Sequence, residues 1–537
     1  MSIPSQPIQI TRKRLVICCD GTWMNSDTGY NKPSYRNPTG KAVVPSNVTL
    51  LSRSLRRSCT DGTLQVIEYH SGTGSSGSFA DVLSGGAFSL GISENIRSSY
   101  SFICANYTDG DEIILVGFSR GAFTARSVAG MISDVGLLTR EGMEHFYPVC
   151  KDRQHWRDEE YKDPFPNAPF GGKPRGEGAP RRYREMLVER GLTRVRQDQE
   201  KGPLIKVRAV GTYDTVGCLG IPSTTLFAKL GLPHSTSEFR FFDTGLSDRI
   251  EYAFHALALD EHRPSFSPAV WERTADNLDA TDLRQVWFPG NHGNIGGGWK
   301  DAGISDMSLA WMMDQLASIG VEFDEAVIMR LFEKLEHSYR DMAEKDPKSD
   351  IGKKIIGEKH WAIEPICERN IPLRPWALGA IRGSRAAGSN IIRSPCAYKK
   401  RDPRTGKETS EFLEDTNERV HSSVRVRLAL QGLGLNDRDV WVAPALKGRW
   451  AVRKTTREFV DPIPKASLAA TLVDAAVEQQ RPLQAMDNKG YRWVWEYCGK
   501  DKDAPPQRVM VEEPLGPFER QLLRLSGGVP NVYEFAE

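Results

Sequence analysis

The sequence predicts an α/β fold, with a mostly parallel sheet flanked by helices. Through the N-terminal half of the chain, short continuous apolar runs alternate with stretches whose apolar residues have helical spacing. A continuous apolar run is typical of a parallel strand that is covered on both faces, because neither face meets water. Strand, loop and helix in repetition therefore favour a parallel sheet between two layers of helices.

The individual elements follow from these runs in chain order. The predicted strands are residues 15–19, 64–70, 112–116, 205–210 and 284–288. Predicted helices at 47–57, 93–107 and 121–133 follow the first three strands, and 254–262, 308–319 and 324–343 also have helical spacing. Residues 439–442 and 491–495 are predicted as short aromatic strands.

Three parts of the chain can be distinguished by composition. Residues 1–13 are expected to be a flexible lead-in, and residues 14–320 to form the α/β domain. A charged segment rich in proline and glycine, about 151–201, is predicted as a long, partly mobile insertion in that domain. Residues 321–537 are predicted as a helical and mixed C-terminal region, either a cap or an appended part.

Charge and cysteine content exclude several classes of protein. Lys and Arg number 71 against 69 Asp and Glu, a formal net charge of +2, which gives no reason to expect a nucleic-acid partner. The nine cysteines are odd in number and irregularly spaced, unlike a disulfide framework. No secretory signal or membrane-spanning run is visible, so a cytoplasmic location is expected.

The third predicted strand leads directly into a serine flanked by glycines. Residues 112–121 read EIILVGFSRG, and a helical stretch follows. This G-x-S-x-G pattern places Ser119 on a turn so sharp that Gly117 and Gly121 must be small. The motif alone arises by chance in glycine-rich chains, but here it lies between a strand and a helix. We therefore predict an α/β-hydrolase-like fold with Ser119 as nucleophile; a serine that only caps the helix is the alternative.

A serine nucleophile needs a histidine base and an acid, which α/β-hydrolases supply in that chain order from loops at strand ends. The predicted strand at 205–210 runs into Asp214, and the strand at 284–288 runs into a glycine-rich loop that carries His292. The order Ser119, Asp214, His292 therefore fits a catalytic triad. Structural roles are the alternatives, with Asp214 as an N-cap or Asx-turn residue and His292 as a loop histidine.

Other acidic and histidine residues compete for these roles. The rival acids in loop-like positions are Asp243, Asp248 and Asp301. His255 and His262 lie in the segment predicted to be helical, where a structural role is the better interpretation.

An oxyanion hole requires two backbone N–H donors. The first is expected from Arg120, the residue after the nucleophile. The second is expected from the loop after the first strand, at Gly21 or Thr22. Asp20 next to them would oppose an oxyanion, so it is predicted to bind backbone N–H groups and hold the loop in shape; a metal role is the alternative, although no ligand spacing supports it.

A second motif, in residues 72–77, is a literal G-x-G-x-x-G after a strand, with Glu94 at the distance expected for a ribose contact. A dinucleotide site also needs a helix directly after the motif, because the helix N-terminus holds the pyrophosphate. Residues 78–91 contain three glycines and predict a poor helix. We therefore expect no cofactor, and no ligand spacing predicts a metal site.

Several segments together carry a family resemblance. They are CCDGTW at 18–23, GFSRGAF at 117–123, YDTVG at 213–217, and WFPGNH at 287–292 with GGG at 296–298. The combination resembles the uncharacterised α/β-hydrolase domain family that includes the type VI secretion phospholipase effectors of bacteria, and is similar to its fungal members. The resemblance covers about residues 14–309. One departure is visible: where the family often has Ser-Asp after the histidine, this chain has Gly293-Asn294.

The resemblance implies an acyl-ester hydrolase whose triad is carried onto Ser119, Asp214 and His292. The expected substrate is a small-molecule or lipid-like ester, including phospholipid, with transient contact to a membrane surface. A thioesterase or amidase is an alternative, because the same triad serves any acyl transfer. A non-catalytic scaffold that binds a small molecule or a protein partner is the alternative from a different class.

Overall fold

The chain is described here from a computed structural model. The described residues are 12–21, 30–31, 41–72, 86–198, 201–216, 245–274, 277–345, 374–383, 391–402, 408–456, 492–500 and 504–525. Most of the predicted lead-in, Thr22 and Asp243 lie outside these ranges. None of the helices within them combines the length and apolar content that a bilayer span requires.

A ten-stranded sheet forms the centre of the fold. Its strands are β1 (Lys13–Cys19), β2 (Leu64–His70), β3 (Glu112–Phe118), β4 (Val207–Tyr213), β5 (Ile250–Ala258), β6 (Asp282–Phe288), β7 (Glu418–His421), β8 (Trp450–Thr455), β9 (Arg492–Tyr497) and β10 (Val509–Glu513). Their order across the sheet is β8-β9-β10-β7-β6-β5-β4-β3-β1-β2. Every neighbouring pair from β2 to β10 is parallel, and β9 pairs antiparallel with both β8 and β10.

Helices connect and cover these strands. They are α1 (Asn47–Ser54), α2 (Gly86–Asn106), α3 (Arg120–Val135), α4 (Arg140–Glu144), α5 (Phe146–His155), α6 (Ala179–Glu189), α7 (His292–Gly296), α8 (Ser305–Ala317), α9 (Val327–Lys345), α10 (Ser422–Ala429) and α11 (Pro517–Leu525). Short 3-10 helices span Pro264–Phe266 and Leu435–Asp437. Small antiparallel strand pairs lie outside the main sheet: Tyr30–Asn31 with Lys41–Ala42, Leu137–Leu138 with Thr193–Arg194, and Lys399–Arg401 with Glu408–Phe412.

Strand β1 shows why its sequence is apolar throughout. Leu15 and Ile17 belong to the core that α2 and α3 cover, whereas Val16 and Cys18 belong to the core that α1 and α8 cover. All four are fully buried. Successive residues of a strand point to opposite faces, so a strand buried on both faces needs apolar residues at every position. The predicted parallel sheet between two helical layers is confirmed.

The C-terminal region contributes to this sheet directly. Strand β7 pairs in parallel with β6, and β10 pairs with β7. A buried hydrogen bond of 2.8 Å from Nε1 of Trp287 to the Glu418 carboxylate links the two parts of the chain. The edge of the sheet that follows β6 is therefore formed by residues from beyond position 320.

Two of the predicted elements are wrong. Residues 254–262 were expected to be helical, but His255 lies in β5, because a strand buried on both faces can show the same apolar content as a buried helix. Residues 439–442 form a loop with an isolated bridge between Leu433 and Val440. The φ angles of Asp439 and Ala443 are positive, 47° and 46°, and such angles are incompatible with an extended strand at either end of this segment. Helix α2 also begins at Gly86, earlier than predicted.

Candidate active site

Ser119 lies between β3 and α3 in a strained backbone conformation. Its φ is 56° and its ψ is −118°, a combination that residues with a side chain rarely adopt. A hydrogen bond of 3.0 Å from its N–H to the carbonyl of Tyr213 ties the turn to β4. Strain of this kind persists only where the surroundings impose it and is concentrated at functional sites. Ser119 is not held as a helix cap, because its side chain makes no capping hydrogen bond.

The two glycines of the motif are explained by close backbone contacts. A Cβ atom on Gly117 would lie 2.4 Å from the carbonyl oxygen of Gly121. A Cβ atom on Gly121 would lie 2.1 Å from the carbonyl oxygen of Cys19 and 2.5 Å from that of Asp20. These contacts are with backbone atoms, which cannot move away as a flexible side chain can. The elbow is therefore packed directly against the loop that follows β1.

Replacing Gly121 with alanine is expected to destabilise the protein by about 3 kcal/mol, because the new methyl group overlaps the backbone after β1. Urea denaturation of the wild type and the variant measures this difference. Gly178→Ala is the matched control, because a Cβ atom at Gly178 meets nothing within 4 Å. Equal stability losses in the two variants would contradict this description of the elbow.

The three predicted triad residues lie together. Ser119 Oγ is 2.8 Å from Nε2 of His292, and Nδ1 of His292 is 2.7 Å from Oδ2 of Asp214. All three side chains are buried. With a neutral imidazole, the Ser119 hydroxyl donates to Nε2, and the Nδ1–H group donates to Asp214. Asp214 follows β4 with φ at 40°, and His292 is the first residue of α7.

The Asp214 carboxylate accepts hydrogen bonds at both of its oxygens. Oδ1 accepts from the amide of Ala258 at 3.0 Å and from Nη1 of Arg393 at 2.5 Å. Oδ2 accepts from Nη2 of Arg393 at 3.0 Å in addition to His292. Burial opposes ionisation of Asp214, but the charge of Arg393 and the hydrogen bonds from His292 and Arg393 hold the pKa of this carboxyl well below its usual range. Asp214 is therefore ionised.

Arg393 is a neighbour of Asp214 that the sequence did not indicate. It follows a stretch rich in glycine, arginine and serine with no clear period, far along the chain from Asp214. The fold alone brings the two residues together, and no local motif marks the arginine.

Two aromatic rings flank the imidazole of His292, and a second carboxylate binds its backbone N–H. The rings of Phe118 and Phe266 lie with their centroids 4.7 Å and 4.8 Å from the imidazole centroid. Glu261 accepts a 3.3 Å hydrogen bond from the backbone N–H of His292 and is itself paired with Arg263 at 2.8 Å. The ring therefore lies in an apolar, fixed position, with both of its nitrogens in hydrogen bonds.

The predicted oxyanion donors differ in their surroundings. Arg120 is the first residue of α3, at the helix end where backbone N–H groups and the positive end of the dipole lie. The amide of Gly21 donates to the Asp20 carboxylate at 2.7 Å, so it points at that side chain. Thr22 lies outside the described residues. For Gly21 to serve as a donor, this hydrogen bond would have to be given up.

Asp20 is held by a group of hydroxyls. Its carboxylate accepts from Ser46 at 2.6 Å, from Thr49 at 2.9 Å and from Tyr69 at 2.8 Å, in addition to Gly21. Burial raises the pKa of Asp20, although these hydrogen bonds act in the opposite direction. Of the backbone N–H groups expected as partners of Asp20, the described residues supply that of Gly21, and the other three partners are side-chain hydroxyls of α1, its N-cap and β2.

The rival residues are engaged elsewhere. His255 accepts from the amide of Thr215 at 3.0 Å through Nε2, and its Nδ1 lies 3.2 Å from Oε1 of Gln285. Burial, together with the charge of Arg126, lowers the pKa of His255 to about 3, so the ring is neutral and supports the chain just after Asp214. Asp301 accepts from backbone amides and pairs with Arg374. Asp248 lies in a turn beside Ser247.

Asn294, which stands where the family often has Asp, makes hydrogen bonds through both atoms of its side-chain amide. Asn294 and Asn291 form a reciprocal capping box at the start of α7, in which Asn294 Oδ1 accepts from the amide of Asn291 at 3.1 Å. Nδ2 of Asn294 donates to the carbonyl of Ala380 at 2.8 Å. An aspartate could replace the first contact but not the second, because a carboxylate has no N–H to donate.

We therefore expect Asn294→Asp to lower the free energy of unfolding by about 1–3 kcal/mol, since the new carboxylate would face a carbonyl oxygen in a buried position. Thermal and urea denaturation measure this loss. Asn106→Asp is the matched control: its amide also donates to a backbone carbonyl, at 2.8 Å, but is exposed. An Asn294→Asp variant no less stable than this control would contradict the assigned role.

Among the described residues, no group of three or more His, Cys, Asp or Glu side chains is placed to hold a metal ion. The glycine-rich motif at 72–77 lies, apart from Gly72, outside the described residues.

Comparison with known proteins places the chain in a family. Residues 13–315 match the family model described as the type VI secretion system (T6SS) phospholipase effector Tle1-like catalytic domain. The uncharacterized protein YEL023C of Saccharomyces cerevisiae is 28% identical over 267 residues, which are 47% of this chain and 32% of the yeast protein. The chain thus matches about a third of the length of that relative.

Two solved structures are also similar. One is the Tle1 effector bound to the VgrG spike of the type 6 secretion system, with 18% identity, a TM-score of 0.29, and coverage of 56% of this chain and 53% of that chain. The other is an uncharacterized protein from Pseudomonas aeruginosa, with 15% identity, a TM-score of 0.29, and coverage of 59% and 47%. The family match spans more than half of the chain, so this protein belongs to the family of Tle1-like catalytic domains of type VI secretion phospholipase effectors.

Proposed function

We propose that the protein is a serine hydrolase that cleaves a carboxylic ester through Ser119, His292 and Asp214. The observation that carries this proposal is the continuous chain of hydrogen bonds, 2.8 Å from Ser119 to His292 and 2.7 Å from His292 to Asp214. A candidate base must lie within hydrogen-bond reach of the proton it removes, and these distances meet that requirement.

In the proposed reaction, Ser119 Oγ attacks the ester carbonyl while Nε2 of His292 takes the hydroxyl proton. Asp214 holds the ring with its proton on Nδ1 and stabilises the imidazolium as it forms. The oxyanion faces the N-terminus of α3, where the amide of Arg120 is the proposed donor. The imidazolium then protonates the departing alcohol, and water, activated by His292, hydrolyses the acyl-serine.

We further propose a lipid-like acyl ester, including a phospholipid, as the substrate. Support comes from the family, whose description is of phospholipase effectors. A lipid substrate would require transient contact with a membrane or micelle surface.

A substrate series tests this proposal. Purified protein is assayed with p-nitrophenyl esters of increasing acyl length, with phosphatidylcholine vesicles, and with a matched thioester and amide. Hydrolysis of long-chain esters and release of fatty acid from vesicles are expected. Faster cleavage of the thioester or the amide would reassign the enzyme to those classes, and no cleavage of any substrate would favour the non-catalytic scaffold.

A further inference from the structure

Arg393 reaches the triad from a part of the chain beyond the family match, which ends at residue 315. Its side chain is 3% exposed, and its two terminal nitrogens contact the two carboxylate oxygens of Asp214 at 2.5 Å and 3.0 Å. Such two-point pairing fixes both the position and the plane of a carboxylate.

The guanidinium of Arg393 is itself held by the backbone. Nη1 donates to the carbonyl of Ala258 at 2.8 Å, and Nη2 donates to the carbonyl of Phe266 at 2.7 Å. Ala258 ends β5, and its amide also donates to Asp214. Arg393 and the Asp214 carboxylate are therefore both hydrogen-bonded to Ala258 at the end of β5, so the guanidinium has little freedom to rotate away from the carboxylate.

The charge of Arg393 matches what a buried carboxylate requires. The Asp214 side chain is fully buried, and a buried carboxylate is stable in the ionised form only with a paired charge or several hydrogen bonds. While His292 is neutral, the imidazole supplies a hydrogen bond but no positive charge. Arg393 supplies that charge, and an ionised Asp214 in turn keeps the proton of His292 on Nδ1.

We propose that Arg393 is a positioning residue of the active site, which holds the Asp214 carboxylate in the orientation that accepts from Nδ1 of His292. The segment at 391–402 then completes the catalytic site from outside the matched domain. This inference rests on the proposed hydrolase function.

Several titratable and charged side chains surround Asp214 and Arg393. They are His292 on α7, His255 on β5, Glu261 after β5, and Tyr398 of the same segment as Arg393. Removing the arginine would make Asp214 easier to protonate and would remove a positive charge that opposes the imidazolium. The loss of this positive charge favours the imidazolium and moves the acid limb of the pH profile of kcat/KM to higher pH.

The test compares Arg393→Met with Arg393→Lys, using ester hydrolysis and the rate of fluorophosphonate labelling. For Arg393→Met, kcat is expected to fall about 10- to 100-fold with KM nearly unchanged, as for other residues that orient a catalytic group. Its acid limb should move up by about one pH unit. Arg393→Lys keeps the charge but loses the two-point contact, so it should recover the pH profile and only part of kcat.

Arg425→Met is the matched control. Arg425 is a buried arginine of α10 that pairs with Glu512 at 2.8 Å and does not contact the triad. Its loss should lower stability without moving the acid limb. An Arg393→Met variant with full kcat, or with an unmoved acid limb like that of Arg425→Met, would overturn the inference.

A crystal structure of Arg393→Met gives a readout that does not depend on activity. The Asp214 carboxylate is expected to rotate and lengthen its 2.7 Å contact with His292. An unchanged contact would overturn the inference even if no substrate were found. A wild-type protein that neither hydrolyses esters nor reacts with the probe would instead refute the hydrolase proposal, so the two failures are distinguishable.

Discussion

Replacing Ser119 with alanine is expected to lower kcat for ester hydrolysis by a factor on the order of 10⁴ to 10⁶, because the acyl-enzyme can no longer form. The remaining triad residues cannot compensate, since they act on the serine oxygen as a unit. Stopped or continuous assays with a p-nitrophenyl ester measure the ratio directly, with enough variant enzyme to detect the residual rate.

The Ser119→Ala protein should remain folded. The change removes one oxygen atom, and alanine occupies the same strained conformation, at φ 56°, with no larger side chain. Ser52→Ala is the matched control: its hydroxyl donates to the carbonyl of Thr49 within α1 and does not contact the triad. A folded Ser119→Ala protein that hydrolysed the ester at the wild-type rate would rule out Ser119 as nucleophile.

Replacing His292 with alanine should be about as damaging, with a loss in kcat on the order of 10⁴ to 10⁶. The imidazole is the only described group within hydrogen-bond distance of Ser119 Oγ that could accept its proton. His255 cannot take over, because its Nε2 is engaged by the amide of Thr215 and its Nδ1 lies against Gln285. Steady-state kinetics over a range of pH would also show the loss of the pH dependence that the base provides.

His337→Ala is the control for this prediction, since His337 lies exposed on α9. It should show wild-type rates. If His292→Ala and His337→Ala had similar activities, the base would have to be another residue, and the 2.8 Å contact between His292 and Ser119 would have no catalytic meaning.

The sequence indicated the three residues of the proposed triad because each has a local signal. Ser119 follows an apolar strand and is flanked by obligatory glycines; Asp214 and His292 follow the ends of two other strands. In a parallel sheet the carboxyl ends of the strands lie along one edge, so residues at those ends can meet although they are far apart in the chain. Strand-end position was therefore enough to predict their proximity.

The contribution of β7 to the sheet had no such signal. Strand β7 is short and contains Glu418 and Arg419, both buried, so it lacks the apolar run typical of a parallel strand. Glu418 accepts from Trp287 and from the amide of Cys396, and Arg419 pairs with Glu513. These partners are distant in sequence, and only the assembled fold shows that the charges are paired.

Arg393 illustrates the same limit at the site itself. An arginine in a polar segment is most often exposed, and its burial depends on one carboxylate and two carbonyl groups supplied by other elements. Similarly, the hydrogen bond from Gly21 to Asp20 depends on how the loop after β1 turns, which a glycine in the sequence permits but does not specify.

Fluorophosphonate labelling followed by intact mass tests the central claim, an activated Ser119, most directly. The wild-type protein should gain the mass of one adduct, which peptide mapping should locate on Ser119, and Ser119→Ala should gain none. The same single adduct on Ser119→Ala, or no adduct on a folded wild-type protein, would contradict the assignment of Ser119, His292 and Asp214 as a working triad.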